Sequence, residues 1–343
     1  MPKRTHEGDP RGDTTPMTGA PREGHDRPAG QGGTGGSGTV RVATCQFPTS
    51  GDIAQNATWI LQQLREAHTL GADVAHYPEA GLSGYAGSDI DNLDLLDWAL
   101  LRDATREVQA AAGELGIWVV LGSTHRLSGN QKPHNSLYII DAAGTLRDRY
   151  DKRFCAGEDD DSGDLAHYSP GNHHTVFTIN GIRCGALICH DYRYPELYRA
   201  YRKADVSLVF HSYHAAHISP EQLADMREAV GAEHHELNPG DTYPAITMPA
   251  SMIAAAAANH VWISAPNSCA PESCWGSFFV RADGIITGQL ERNQSGILIS
   301  DVDPNAELYD STRAWRGRAI DGTLHSGTLP HSGCTDGRSH LWG

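Results

Sequence analysis

Between residues 39 and 122 the chain alternates short β-rich segments with long amphipathic ones, and this order restricts its fold more than any other feature. Residues 39–47 alternate apolar and polar side chains as a strand does. Residues 53–70 place Ala57, Ile60, Leu61, Leu64 and Ala67 at helical spacing, with Gly71 as the stop. Residues 72–77 read as a second strand ending in Pro78-Glu79, and a second helix is expected near 93–115. Residues 117–122, Ile-Trp-Val-Val-Leu-Gly, carry the strongest strand signal. Strand, helix, strand, helix, strand predicts a layered α/β fold.

The middle of the chain is strand-rich. Residues 135–140 and 146–150 flank Ala142-Ala143-Gly144, a hairpin signal, and the second strand ends at Asp151-Lys152-Arg153. A polar loop with four successive acids, Glu158 to Asp161, follows. Residues 175–179 and 182–188 form a hairpin over Asn180-Gly181 and lead into Cys189. A helix over 196–203 and a strand over 205–210 come next. Residues 211–241 read as an irregular, His-rich insertion. An Ala-rich helix over 249–260, a strand over 261–265, a hairpin over 277–290 and a strand over 296–302 complete the expected elements.

Composition sets limits on function. Residues 1–38 are Gly-, Pro- and Arg-rich with almost no large apolar side chains, so a disordered tail is expected there. That stretch has no apolar core of the secretory type, and no other segment is apolar enough to span a membrane. The net charge of -15 sits on the remainder, because charges in the tail balance. An acidic body argues against nucleic acid or an anionic membrane as partner. The seven scattered cysteines read as reduced thiols in a cytoplasm. Cys269 and Cys274 are close in sequence, but no second pair of zinc ligands follows them.

Glu79, Lys152 and Cys189 share one position: each stands just past the carboxyl end of an expected strand. Ligands of open α/β sheets bind at carboxyl ends, and with the strands side by side the three meet on one rim. Each has a plain reading taken singly: Cys189 as a core thiol, Glu79 as a solvated carboxylate, Lys152 as a surface cation. Lysine is rare in this chain, with only Lys3, Lys132, Lys152 and Lys203. Pro195 suits a first helical position, so Cys189 lies near helix amides that favour thiolate. Together a thiol, a carboxylate and a fixed cation are the equipment for acyl transfer from an amide.

Three motifs carry a family resemblance. They are Tyr77-Pro-Glu-Ala-Gly-Leu-Ser-Gly-Tyr85, Tyr150-Asp-Lys-Arg-Phe154 and Leu187-Ile-Cys-His-Asp-Tyr-Arg-Tyr-Pro-Glu196. In order and spacing the chain resembles the nitrilase superfamily of carbon–nitrogen hydrolases from about Thr39 to Val302. The resemblance implies a four-layer αββα sandwich, association as homodimers or larger homo-oligomers, and no metal or organic cofactor. It implies that Glu79 takes the proton of Cys189, and that the thiolate attacks the substrate carbon. Lys152 and the main-chain amide of His190 would then stabilise the oxyanion. Many members carry a second acid before the Pro-Gly that precedes the nucleophile strands; Asp164 and, alternatively, Glu158 stand in that region. Cys189-His190-Asp191 replaces the Cys-Trp-Glu of true nitrilases and is similar to the amidase and carbamoylase branches, so an amide or N-carbamoyl substrate is expected over a nitrile.

Tyr85, Asp164, His190, His211 and Tyr213 are the candidate substrate-binding residues. His211, His214 and His217 suggest a metal cluster, but on a helix the second and third would lie about 300 and about 240 degrees round from the first, an awkward fan for one ion. No metal site is assigned. Arg193 is read as a structural ion pair with Glu196 or Asp191. The expected plan is a tail over 1–38, a hydrolase domain over 39–302, and an extension over 303–343 placed at a dimer interface. An amide-forming acyltransferase uses the same three residues with an amine in place of water. A non-catalytic scaffold is the reading of a different class.

Overall fold

The computed structural model describes residues 38–330. The expected tail therefore lies outside the described residues except for Gly38, as does the end of the extension, 331–343. Twelve strands form two six-stranded mixed sheets. The first has the order β12-β1-β2-β3-β4-β5. Its strands are β1 (Val40–Gln46), β2 (Val74–His76), β3 (Trp118–His125), β4 (His134–Ile140), β5 (Leu146–Asp151) and β12 (Gly296–Val302). The second has the order β11-β10-β9-β8-β7-β6. It contains β6 (Val176–Ile179), β7 (Ile182–Ile188), β8 (Leu208–Ser212), β9 (Trp262–Ala265), β10 (Phe278–Val280) and β11 (Ile286–Gln289).

Strand alternation explains the layering. In the first sheet Val42, Val74, Val120, Leu137 and Ile139 turn to one core, shared with Ile188, Phe210 and Ile263 of the second sheet. Their neighbours Ala43, Ala75, Val119, Leu121 and Ile140 turn to another core, under α1 (Ile53–Thr69) and α2 (Trp98–Leu115). Helices α3 (Pro195–Lys203) and α5 (Tyr243–Asn259) pack on the second sheet. The central strands are parallel and buried on both faces, which accounts for their nearly continuous apolar runs. The order of layers is helix, sheet, sheet, helix: the αββα sandwich that the motifs imply.

Local chemistry sets the helix ends. Asp52 accepts hydrogen bonds from Ala54 N and Gln55 N, and Asp97 from Ala99 N and Leu100 N. The second cap starts α2 at Trp98; residues 93–95, expected as helix, form a separate short turn. Two expectations for the second half change. The insertion over 211–241 is not irregular throughout. It holds α4 (Pro220–Val230), begun by a capping box in which Ser219 and Gln222 exchange hydrogen bonds. Pro249 does not open a helix; it lies inside α5, which begins at Tyr243 under the Thr242 cap. The described part of the extension holds one helix, α6 (Arg316–Ile320). There Arg316 pairs with Asp310 at 2.6 Å, and Thr312 Oγ1 donates to the Ala258 carbonyl at 3.5 Å, tying the segment to the end of α5.

Candidate active site

Glu79, Lys152 and Cys189 meet, but not along one rim. Glu79 follows β2 and Lys152 follows β5, both in the first sheet with β3 and β4 between them, whereas Cys189 follows β7 in the facing sheet. The side-by-side arrangement expected from the strand ends is replaced by convergence across the sandwich. The Glu79 segment lies directly over β3: Leu82 N donates to Gly122 O, and a Cβ on Gly122 would come within 1.9 Å of Pro78 O. Lys152 is held through both peptide groups, by Asn135 O and Gly171 N. Cys189 has a φ of +42°, a left-handed conformation rare for a residue with a side chain.

Lys152 is 1 % exposed, and its ammonium lies 2.7 Å from Glu79 Oε1 and 2.6 Å from Asp164 Oδ2. Burial works against its charge, yet Glu79 and Asp164 outweigh burial and hold the amine well above its usual range. Asp164 is held below the usual carboxylate range. Burial acts against the shift, and Lys152, the Tyr85 hydroxyl and the Ala156 amide outweigh it. Asn135 donates to Glu79 Oε1 at 2.7 Å, so that oxygen takes two donors. The other oxygen, Oε2, is buried with no partner. Burial and then Glu79 push the Cys189 thiol well up, and Lys152 acts the other way. Glu158 is exposed and its amide is bonded to Ser162, so the acid that reaches Lys152 is Asp164.

A third buried carboxylate, Asp191, joins the two sheets next to Cys189. Asp191 accepts from Ile188 N at 3.0 Å, Phe154 N at 2.9 Å and the Tyr150 hydroxyl at 2.8 Å. It thereby links the end of β7 to the end of β5. Burial raises its carboxyl to about 6, with those hydrogen bonds opposing. His190 is half-buried and its Nδ1 donates to Phe154 O at 3.2 Å.

Two of the candidate substrate-binding residues have their polar atoms bonded within the protein. His211 is the fourth residue of β8, not a loop residue. Its Nε2 donates to the Cys189 carbonyl at 3.0 Å and its Nδ1 accepts from the Tyr198 hydroxyl at 2.7 Å, so both ring nitrogens are occupied. Burial lowers it to about 3, a neutral ring supporting the backbone of the thiol residue. The Tyr213 hydroxyl is likewise occupied, donating to Gly276 O at 2.7 Å. Tyr85 keeps a place in the site: its hydroxyl binds Asp164, and the Lys152 ammonium lies 5.7 Å from its ring centre.

Two histidines of the insertion, His214 and His217, serve a carboxylate. Asp89, with no exposed side-chain surface, accepts from His214 Nε2 at 3.1 Å and His217 Nδ1 at 2.5 Å. Arg193 pairs with neither Glu196 nor Asp191; it lies over the Tyr192 ring at 4.9 Å. Asn135, Asp191, Asp89 and His76 are the polar residues of this region that sequence reasoning did not single out. Only Asp191, beside Cys189 in its motif, carried a local signal.

Comparison with known proteins agrees with this architecture. A family model described as carbon–nitrogen hydrolase matches residues 41–309. The chain is 30% identical over 139 residues to a 2-oxoglutaramate amidase of Bacillus subtilis, covering 40% of this chain and 51% of that protein. It is 29% identical over 181 residues to a human deaminated glutathione amidase, covering 49% and 54%. The chain thus spans about half the length of these curated relatives. Among solved structures, an amidase from Nesterenkonia sp. superposes with a TM-score of 0.63 at 22% identity, over 84% of this chain and 97% of that one. A variant of the amidase from Nesterenkonia sp. AN1, with the acetamide moiety of fluoroacetamide added covalently at its active-site cysteine, gives a TM-score of 0.63 at 21% identity, over 86% and 100%. These structural likenesses speak for the fold, and the family match over residues 41–309 establishes that the chain belongs to the carbon–nitrogen hydrolase family.

Proposed function

We propose that the protein hydrolyses the C–N bond of a small amide or N-carbamoyl compound through a thioester on Cys189. One observation carries the reading: Glu79 is anchored at Oε1 by Lys152 and Asn135, while its Oε2 is buried with no partner, and its charge is felt by the Cys189 thiol. Such an oxygen is suited to accept the thiol proton. The raised thiol keeps its proton at rest, and transfer to Glu79 accompanies attack on the substrate carbon. The tetrahedral oxyanion is met by the Lys152 ammonium and the His190 amide. That amide lies in the first turn of a short 3₁₀ segment, Cys189–Arg193, where amides lack partners within the turn. Glu79 returns the proton to the departing ammonia or amine and then activates the water that cleaves the thioester.

The nearby relatives are named as amidases, and the active-site cysteine of one solved neighbour carries the acetamide moiety of fluoroacetamide. Both facts support an amide substrate for this chain. The test is an ammonia-release screen over amides, N-carbamoyl amino acids and nitriles, with and without added hydroxylamine. Cys189→Ala, Glu79→Gln and Lys152→Met should each lower turnover by about 1,000-fold or more. Full activity in any of the three sinks the assignment, and product formed only with hydroxylamine present would reassign the reaction as acyl transfer.

A further inference from the structure

Strand β4 sets one polar side chain in an apolar row. Asn135, Leu137 and Ile139 alternate onto the same face, and Leu137 and Ile139 lie in the core between the two sheets. Asn135 is 1 % exposed. Register fixes its neighbours. On one side it stands opposite Thr124 of β3, the strand on which the Glu79 turn rests. On the other side Ser136 pairs with Asp151, so Asn135 stands beside Lys152, and its carbonyl accepts from Lys152 N at 2.9 Å. One residue therefore lies between the carboxylate and the cation and touches both.

Its side chain makes one bond. Nδ2 donates to Glu79 Oε1 at 2.7 Å, on the oxygen that also takes the Lys152 ammonium at 2.7 Å. A carboxylate oxygen only accepts, so the amide presents its nitrogen there. Its Oδ1 is buried with no protein partner. An amide kept to close a sheet is ordinarily bonded at both ends, and a bare buried acceptor is costly. The two holders of Oε1 differ in kind. The Lys152 bond is an ion pair, and its strength depends on the charge of Glu79. The Asn135 bond has a neutral donor and depends on that charge far less. Once Glu79 has taken a proton at Oε2, the pull of Oε1 on the ammonium falls, while Asp164, 2.6 Å from the same nitrogen, keeps Lys152 in the site.

We propose that Asn135 is a positioning residue for Glu79: its amide holds Oε1 throughout the proton transfer and so leaves the Lys152 ammonium free to meet the oxyanion. This rests on the reading of Glu79 as the base and Cys189 as the nucleophile. The thiol proton passes from Sγ to Glu79 Oε2, the sulfur–carbon bond forms, and the carbonyl π pair moves onto oxygen, where Lys152 receives it. The C–N bond then breaks as Oε2 gives its proton to the departing nitrogen. Oε1 takes the same Asn135 N–H before and after each transfer.

The experiment measures ammonia release against pH, well below the melting temperature. Asn135→Leu keeps the shape and removes the donor, and should lower kcat about 100-fold at every pH while KM changes by less than about threefold. Asn135→Asp has a donor only when its new carboxyl is protonated, so the ratio of its kcat to that of the wild type should rise about tenfold from pH 8 to pH 6. A merely structural role lowers the melting temperature and leaves that ratio flat. Wild-type kcat in a folded Asn135→Leu protein overturns the proposal, and so does a flat ratio in Asn135→Asp, which decides alone if the first variant does not fold. A second arm needs no substrate. In chemical denaturation, Asn135→Leu combined with Glu79→Leu should depart from additivity by about tenfold in the unfolding equilibrium constant, and additive losses overturn the proposal. A protein that releases ammonia from no amide yet shows this coupling refutes the proposed reaction and leaves Asn135 as the holder of Glu79.

Discussion

Asp191 shows how much one side chain carries at the residue scale. Its carboxylate takes three donors from two sheets in a place where burial raises it to about 6. An acid raised in the folded state favours folding fully below its unfolded value, near 3.8, and that contribution disappears as pH rises through 6. Chemical denaturation of the wild type against Asp191→Asn, between pH 4 and 7, should therefore show the wild-type advantage shrinking by about 3 kcal/mol. A constant difference across that range would remove Asp191 from the buried ionisable groups. Asn at 191 also faces a donor with its amide nitrogen, so its turnover should fall at every pH. Glu79, Lys152 and Cys189 were legible in the sequence because each ends a strand and stands in a motif. The pairing of Asp89 with His214 was not. The two lie 125 residues apart, and no spacing rule links them.

Elements place these residues by close approach more than by propensity. The turn that presents Glu79 rests on β3, and Gly122 leaves the space for it. Gly122→Ala should push the Pro78–Ala80 backbone away, lowering stability by about 1–3 kcal/mol and turnover more than tenfold. A wild-type melting temperature and wild-type kcat in that variant would mean that the turn has slack. Strands and the first helices were readable from period and caps, apart from shifts of a few residues. The His-rich insertion was harder. Its histidines drew attention, while Ser219-Pro220-Glu221-Gln222 carried the capping signal for α4. Pro249 misled in the opposite way: a proline usually marks a first turn, but α5 accommodates it in its interior.

On the scale of the whole molecule, the sandwich is joined by polar groups as well as by its apolar core. His76, at the end of β2, bonds Ser264 at 2.9 Å and Ser212 at 2.8 Å, and Thr44 bonds Ser264 at 2.7 Å. Ser212 gives its proton to Tyr77 O, so it accepts from His76 Nε2, and Ser264 donates to Nδ1. Burial keeps this histidine neutral, its value well below the usual one. His76→Ala leaves two hydroxyls short of partners and opens a void, and should cost about 2–5 kcal/mol in equilibrium unfolding. A loss under about 1 kcal/mol would show that the sheets close without it. The layer order followed from the alternation of strands and helices together with the family resemblance. That Cys189 comes from the sheet facing the one that carries Glu79 and Lys152 did not, because strand order within a sheet is a property of long-range pairing.

The link made by Asp191 has a consequence for how the protein breathes. The amide protons of Ile188 and Phe154 are held by one carboxylate, at the ends of strands in opposite sheets. Neither strand end can fray without releasing the other. In hydrogen exchange these two protons should behave as one cooperative unit, among the slowest in the chain, and the chemistry then resides in the part of the molecule that opens last.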